Sequence, residues 1–153
     1  MIPTRTLAAT AAAVLALSVA ACSDESAPIE TPPPAAVVLN GVDLSQPLRA
    51  LGTEPFWAVA INPDALVYSG VDRPEQRAPN SGPQVIGTTA VYAGTTDAGQ
   101  PIEVTLMATD CSDGMSDRTY PLTARVVIGT ETLSGCAATA AALTAAPEQG
   151  RVG

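Results

Sequence analysis

The chain has no histidine and no lysine among its 153 residues. The first absence excludes Ser-His-Asp and Cys-His catalysis and imidazole metal sites. The second excludes Schiff-base and pyridoxal chemistry and Ser-Lys dyads. There is no G-x-G-x-x-G and no phosphate-binding loop. Any enzyme built from this chain would have to run on carboxylates, as glycosidases do. Positive charge is also scarce, with 7 Arg against 15 acids and a net charge of −8. Such a chain suits neither nucleic acid nor anionic lipid surfaces, because both need cations to neutralise phosphate. No cofactor and no metal ligand set are expected. Aromatic residues are few: one Trp, one Phe and three Tyr.

What is present begins with an export signal. Residues 1–21 run from "MIPTR", with one charge at Arg5, into "TLAATAAAVLALSVAA", an apolar stretch with a small-residue exit. The uncharged part is shorter and less apolar than the ~20 residues that a membrane-spanning helix needs. Val19-Ala20-Ala21-Cys22 resembles the bacterial lipobox. The resemblance implies cleavage before Cys22, a diacylglyceryl group on its thiol and an acylated new amine. Several acyl chains hold a protein far more firmly than the single chain that gives only marginal binding. The expected location is therefore the bacterial cell envelope, with the membrane as partner through the acyl chains. Ser23 at the next position implies the outer membrane facing the periplasm rather than the inner membrane.

With Cys22 lipidated, Cys111 and Cys136 remain as an even pair in an oxidising compartment, where a disulfide is the expected state. In the chain-entropy model, closing that loop stabilises by ~3–3.5 kcal/mol. A redox or metal thiolate pair would need C-x-x-C spacing and further soft ligands, and the chain has neither.

Four segments are expected: the signal peptide at 1–21, a lipidated and Pro-rich tether at 22–47, a β domain at 48–137 and an Ala-rich tail at 138–153. The Pro32-Pro33-Pro34 run favours an extended, hydrated backbone. Within the domain, short β-rich stretches alternate with turn signals. "FWAVAI" ends at Asn62-Pro63-Asp64, and "LTARVVIG" and "TLSGCA" flank a turn at Gly129-Thr130-Glu131. "PIEVTLMATDC" alternates Ile102, Val104, Leu106 and Ala108 with Glu103, Thr105 and Met107, a period of two with one dry face. "VDRPEQRAPNSGP", with three Pro, reads as loop. The expected fold is all-β: a small antiparallel barrel or sandwich of about six or seven strands, with one disulfide. "AATAAALTAA" reads as a short helix or as unstructured tail.

The stretch "CSDGMSDRTYP", residues 111–121, holds most of the candidate site residues. In a flat meander, Cys111 and Cys136 would sit two strand spacings apart, ~9.6 Å. A disulfide needs Cα atoms within roughly 7 Å. Either residues 111–121 bend across the end of the middle strand or the barrel curls tightly there, and in both cases the loop is expected to cap one end of the barrel. Asp113, Ser116 and Asp117 can accept backbone donors in such a loop. Arg118 can pair with Asp110 or Asp113, and Tyr120 offers an apolar face with a polar tip. A calcium loop through the three Asp fails: with Gly114 at the sixth position of an EF-type loop, its first, third and twelfth ligands would be Thr109, Cys111 and Tyr120.

"GTEPFWAVAI" and "CSDGMSDRTYPLTARVVIGTETLSGCA" together resemble the signatures of a family of small bacterial envelope lipoproteins to which no activity is assigned. The resemblance covers the domain core and implies that Glu54, Phe56, Trp57, Cys111, Asp113, Met115, Ser116, Asp117, Tyr120, Pro121 and Cys136 are pattern positions. Trp57 is expected to plug one end of the core. Glu54, before Pro55, is read as a turn acceptor. The functional expectation is a non-enzymatic binding or scaffolding module, with an envelope protein or a peptidoglycan-related ligand as partner. Glu54, Phe56, Trp57, Asp113, Met115, Ser116, Asp117, Arg118 and Tyr120 form its candidate surface. The alternatives are an inhibitor of a cell-wall hydrolase and a carboxylate-only glycosidase.

Overall fold

The computed structural model describes residues 36–145 and 149–153. The expected signal segment, the expected lipid-attachment residue Cys22 and the expected tether up to residue 35 lie outside the described residues. The described chain opens with a small hairpin, β1 (Val38–Leu39) and β2 (Val42–Asp43). Its two-residue turn is Asn40-Gly41, both with positive φ (48° and 84°), the chemistry that a tight hairpin turn demands. Leu39, Val42 and Leu44 are buried in the main core. This part of the expected tether thus belongs to the packed unit.

Next come β3 (Leu48–Thr53), β4 (Phe56–Ile61), β5 (Ala65–Gly70) and β6 (Arg73–Pro79). After them lie β7 (Gln84–Ile86), β8 (Thr89–Thr95) and β9 (Pro101–Met107). The chain continues through β10 (Asp117–Thr119), β11 (Leu122–Ile128), β12 (Glu131–Thr139), a short helix α1 (Ala140–Ala145) and β13 (Gln149–Arg151). Nine of these strands form one antiparallel sheet in the order β6-β5-β4-β3-β12-β11-β9-β8-β7. The sheet therefore has more strands than the six or seven expected. The extra ones are the short β7 and β6. The latter is a strand where the proline-rich sequence reads as loop. Pro74 and Pro79 are tolerated because β6 lies at the edge of the sheet, where a missing N–H breaks no ladder on the far side.

The sheet curls into a half-barrel. Side chains of its concave face meet in one cluster that includes Val59, Tyr68, Tyr92, Val104, Leu106 and Val126. These residues sit at matching register levels: Val59 opposite Tyr68, Tyr92 opposite Val104, and Val104 opposite Val126. Each such large apolar side chain contributes ~1.5–3 kcal/mol on burial. The curl brings β6 back toward the end of β8, where the Asp97 N–H donates to the Arg77 carbonyl at 2.8 Å. Gly94 is needed there, because a Cβ would lie 2.9 Å from the Pro79 carbonyl oxygen.

β12 buries both of its faces. Leu133 and Ala137 join the inner core, whereas Cys136 and Ala138 belong to a second cluster with Tyr120 and Val152. Leu51, Cys111, Ala142 and Leu143 pack around that cluster. Its roof is the loop 111–121 together with α1 and the C-terminal residues. Within the roof, β10 and β13 pair in parallel, and the Val152 N–H donates to the Thr119 carbonyl at 2.9 Å. The loop therefore covers the outer face of the sheet rather than capping one end of the curl. The C-terminal residues are part of its packing, with Val152 fully buried. No helix of the described residues is long and apolar enough to cross a membrane.

Candidate functional site

The disulfide anchors the loop. Cys111 and Cys136 are bonded with Cα atoms 5.5 Å apart, within the geometric requirement. The sequence-level conflict of two strand spacings is resolved by departure from the ladder. The chain leaves β9 at Met107, rises off the sheet and crosses over the middle strand β11. Thr123 of β11, which lies opposite both Met107 and Cys136, donates its hydroxyl to the Thr109 carbonyl at 3.0 Å beneath the crossing. An antiparallel bridge between Cys111 and Tyr120 closes the loop, with reciprocal N–H···O bonds of 2.9 and 2.8 Å.

Asp113 organises the loop from within. Its Oδ1 accepts the N–H groups of Met115 at 3.0 Å and Ser116 at 2.8 Å. Its Oδ2 accepts the hydroxyls of Ser116 and Tyr120, both at 2.8 Å. Burial alone would raise its pKa. The Ser116 N–H and hydroxyl, the Met115 N–H and the Tyr120 hydroxyl outweigh it and hold the carboxyl down at about 2. Tyr120 responds in the opposite sense: burial and then the Asp113 carboxylate push its hydroxyl pKa up. The Ser116 hydroxyl also receives the Arg118 N–H at 3.3 Å. Gly114 turns the chain at φ 72°, a left-handed conformation that favours glycine. The Thr53 hydroxyl donates to the Asp113 carbonyl at 3.0 Å and ties the loop to β3.

A second tie holds the base of the loop. Asp110 pairs with Arg151 at 2.6 Å, and Asn40 donates to Asp110 Oδ1 at 3.1 Å and to the Pro121 carbonyl at 2.6 Å. Arg151, then burial, then Asn40 act on Asp110, and the net effect lowers its pKa. Neither Asn40 nor Arg151 is legible as a loop partner in the sequence, since they lie 70 and 41 residues from Asp110.

The expected site residues separate into two groups. Trp57, Tyr120 and Cys136 are buried, and Asp113, Ser116 and Arg118 are half-buried. Arg118 lies beside the Tyr120 hydroxyl rather than paired with Asp113. Asp117 is exposed, and its carboxylate takes no part in bracing the loop. Glu54, Phe56 and Met115 are exposed. The Glu54 carboxylate has no partner among the described residues, so it is not the turn acceptor that the sequence suggests.

Trp57 plugs one end of the inner core, and two glycines make room for it. A Cβ on Gly52 would overlap the indole ring, and one on Gly135 would lie 2.9 Å from Trp57 Cζ2. The loop, β3 and β12 enclose a groove with a volume of about 510 Å³. Glu54 and Met115 form its lips, with Gly52 and Gly135 on its floor. A shallower groove on the other side of the β3–β4 turn shares Thr53 with the first and is walled by Phe56 and Val71. Among the described residues, no group of three or more His, Cys, Asp or Glu could hold a metal ion. Comparison of the chain with protein-family models, with curated proteins and with solved structures finds no match in any of the three.

Proposed function

We propose that the protein is a lipid-anchored envelope module, held to the membrane through Cys22, that binds a partner without catalysing a reaction. One observation carries this reading: Phe56 and Met115 are 54% and 68% exposed on the two sides of the β3–β4 turn. Large apolar side chains exposed together at grooves are characteristic of interaction surfaces. The carboxylates support the same reading. Asp113, the acid with the most perturbed environment in the loop, uses four hydrogen bonds to hold the loop together. Those four bonds fill the acceptor positions of both its oxygens, which disfavours a role for Asp113 in a carboxylate-only glycosidase.

The test is photo-crosslinking in living cells, with the reactive side chain placed at Met115 or Phe56 and, as control, at the remote exposed position Ile86. The reading expects a discrete adduct from the first two positions and none from the third. Equal adducts at all three, or none, would overturn it. The anchor has its own measurement. The membrane-extracted protein should begin at Cys22 and carry acyl mass, and Cys22→Ala should release it or stall its processing.

A further inference from the structure

Three of the exposed large apolar residues, Phe56, Val71 and Met115, lie close together, apart from Val37 and Val38 at β1 and Val85 and Ile86 on β7. The β3–β4 turn and the β5–β6 turn lie at the same end of the curled sheet. They are linked by the Val71 N–H, which donates to the Phe56 carbonyl at 3.2 Å. Val71, 58% exposed, therefore stands beside Phe56, and Glu54 and Met115 share the lip of the adjoining groove. The result is a rim with the order Met115, Glu54, Phe56, Val71, Asp72, in which three apolar side chains are interspersed with two carboxylates. Both Glu54 and Asp72 are exposed, and neither carboxylate has a partner among the described residues. Three other surface acids are paired with arginines: Glu131 with Arg73, Asp64 with Arg77 and Asp110 with Arg151. Asp72 holds a positive φ of 58°, a conformation that Asp tolerates better than most residues.

From this rim we infer the chemistry of the partner, an inference that rests on the binding reading above. The rim fits a basic protein segment in which Arg or Lys alternates with apolar side chains. The apolar residues would pack on Phe56, Val71 and Met115, and the cations would pair with Glu54 and Asp72. The net charge of −8 acts in the same direction at longer range and speeds encounter with a basic partner. The same field repels acidic segments and anionic lipid headgroups. Phe56 is the expected anchor, since aromatic residues at the centre of a patch carry most of the binding energy.

The probe is an extended nonapeptide alternating Arg and Leu, with Glu–Leu and Arg–Ser counterparts, titrated calorimetrically onto the full chain in detergent. The Arg–Leu peptide should bind and the two counterparts should bind at least 10-fold more weakly. Phe56→Ala should weaken binding about 10-fold or more. The double variant E54Q/D72N should weaken it several-fold and flatten its salt dependence. The double variant E75Q/E103Q removes the same charge from exposed positions outside the rim and should leave affinity within twofold. Equal binding of the Glu–Leu peptide, or equal losses in the two charge variants, would overturn the basic-partner inference. Adducts at Met115 and Phe56 in cells would in that case still leave the binding reading standing. Conversely, tight rim-dependent peptide binding with no adducts in cells would leave the rim chemistry intact and remove the functional reading.

Discussion

Leu133 and Ala137 point from β12 into the curl, whereas Cys136 and Ala138 point out of it, and the two sides are buried by different means. The inner side follows from alternation alone. Apolar residues recur every second position on strands such as β4, β9 and β11, and matching register stacks them into one cluster. The outer side has little apolar material: one Tyr, a half-cystine, an alanine and a valine fully covered, with partly buried neighbours. It is held instead by a covalent bond and by a carboxylate that gathers four donors. The inner side therefore resists change through packing, and the outer side through a few specific links. The exposed side chains of Glu54 and Met115 sit where the two meet, at the lips of the groove between loop and sheet.

The largest expected effect tests the packing side. Gly135→Val would drive a side chain into the Leu51 backbone and the Trp57 ring. Overpacking of this kind costs ~3 kcal/mol. Chemical denaturation should show the loss, and a loss below ~1 kcal/mol would mean that Trp57 is not held as described.

The next effect tests the covalent link. Removing the disulfide with a Cys111→Ala, Cys136→Ala pair should cost ~3 kcal/mol. The informative part is its distribution. Hydrogen exchange should quicken at Thr119, Tyr120 and Val152, whose N–H groups belong to the roof or its contacts, while Val104 and Val126 stay protected. Uniform acceleration across both faces would show that the two sides unfold as one unit.

The fold and the site were legible to different degrees. The inner face was readable from residues 101–111 because a period of two is a local signal. The disulfide was readable from parity and compartment. β6 was not, because Pro74 and Pro79 carry a loop signature that only an edge position overrides. The outer placement of the loop was not readable either. It depends on Val152 and Arg151 reaching residues 119 and 110, contacts that no local pattern encodes. Asp113 and Asp117 look equivalent in "SDGMSDRT". Only the turn at Gly114, which directs the Met115 and Ser116 N–H groups at one carboxylate, separates them. The core position of Trp57 was readable, but the two glycines that admit its indole, Gly52 and Gly135, were not.

Asp113 carries a pH signature. Its carboxyl has an ordinary unfolded pKa near ~3.9 and is lowered to about 2 in the fold. A depressed pKa gives stability that is fully present above the unfolded value and is lost as pH falls through the folded one. The difference in melting temperature between the native protein and Asp113→Asn should therefore be constant above pH ~4 and shrink between pH 4 and 2. At neutral pH the expected cost of Asp113→Ala is ~1–3 kcal/mol. Asp117→Ala should change stability by less than ~0.5 kcal/mol, as surface substitutions usually do. Similar costs for the two would mean that Asp113 is not the organising group.

The smallest effect is the sharpest test, because one substitution should act differently on the two faces. Tyr92 and Tyr120 are both buried, at 1% and 2% exposure. Tyr120 on the outer side donates its hydroxyl to Asp113, so Tyr120→Phe removes a bond to a charged acceptor and leaves that acceptor one donor short. The expected cost is about 1.5 kcal/mol. Tyr92 on the inner side has a buried hydroxyl with no partner among the described residues, and burial pushes its pKa up to about 12. Tyr92→Phe removes a polar group that gains nothing from the fold, so stability should hold or rise by up to ~1 kcal/mol. Paired denaturation curves of the two variants read this directly. A loss for Tyr92→Phe as large as that for Tyr120→Phe would show that the inner core also depends on a polar link, and the contrast between the two faces would fail.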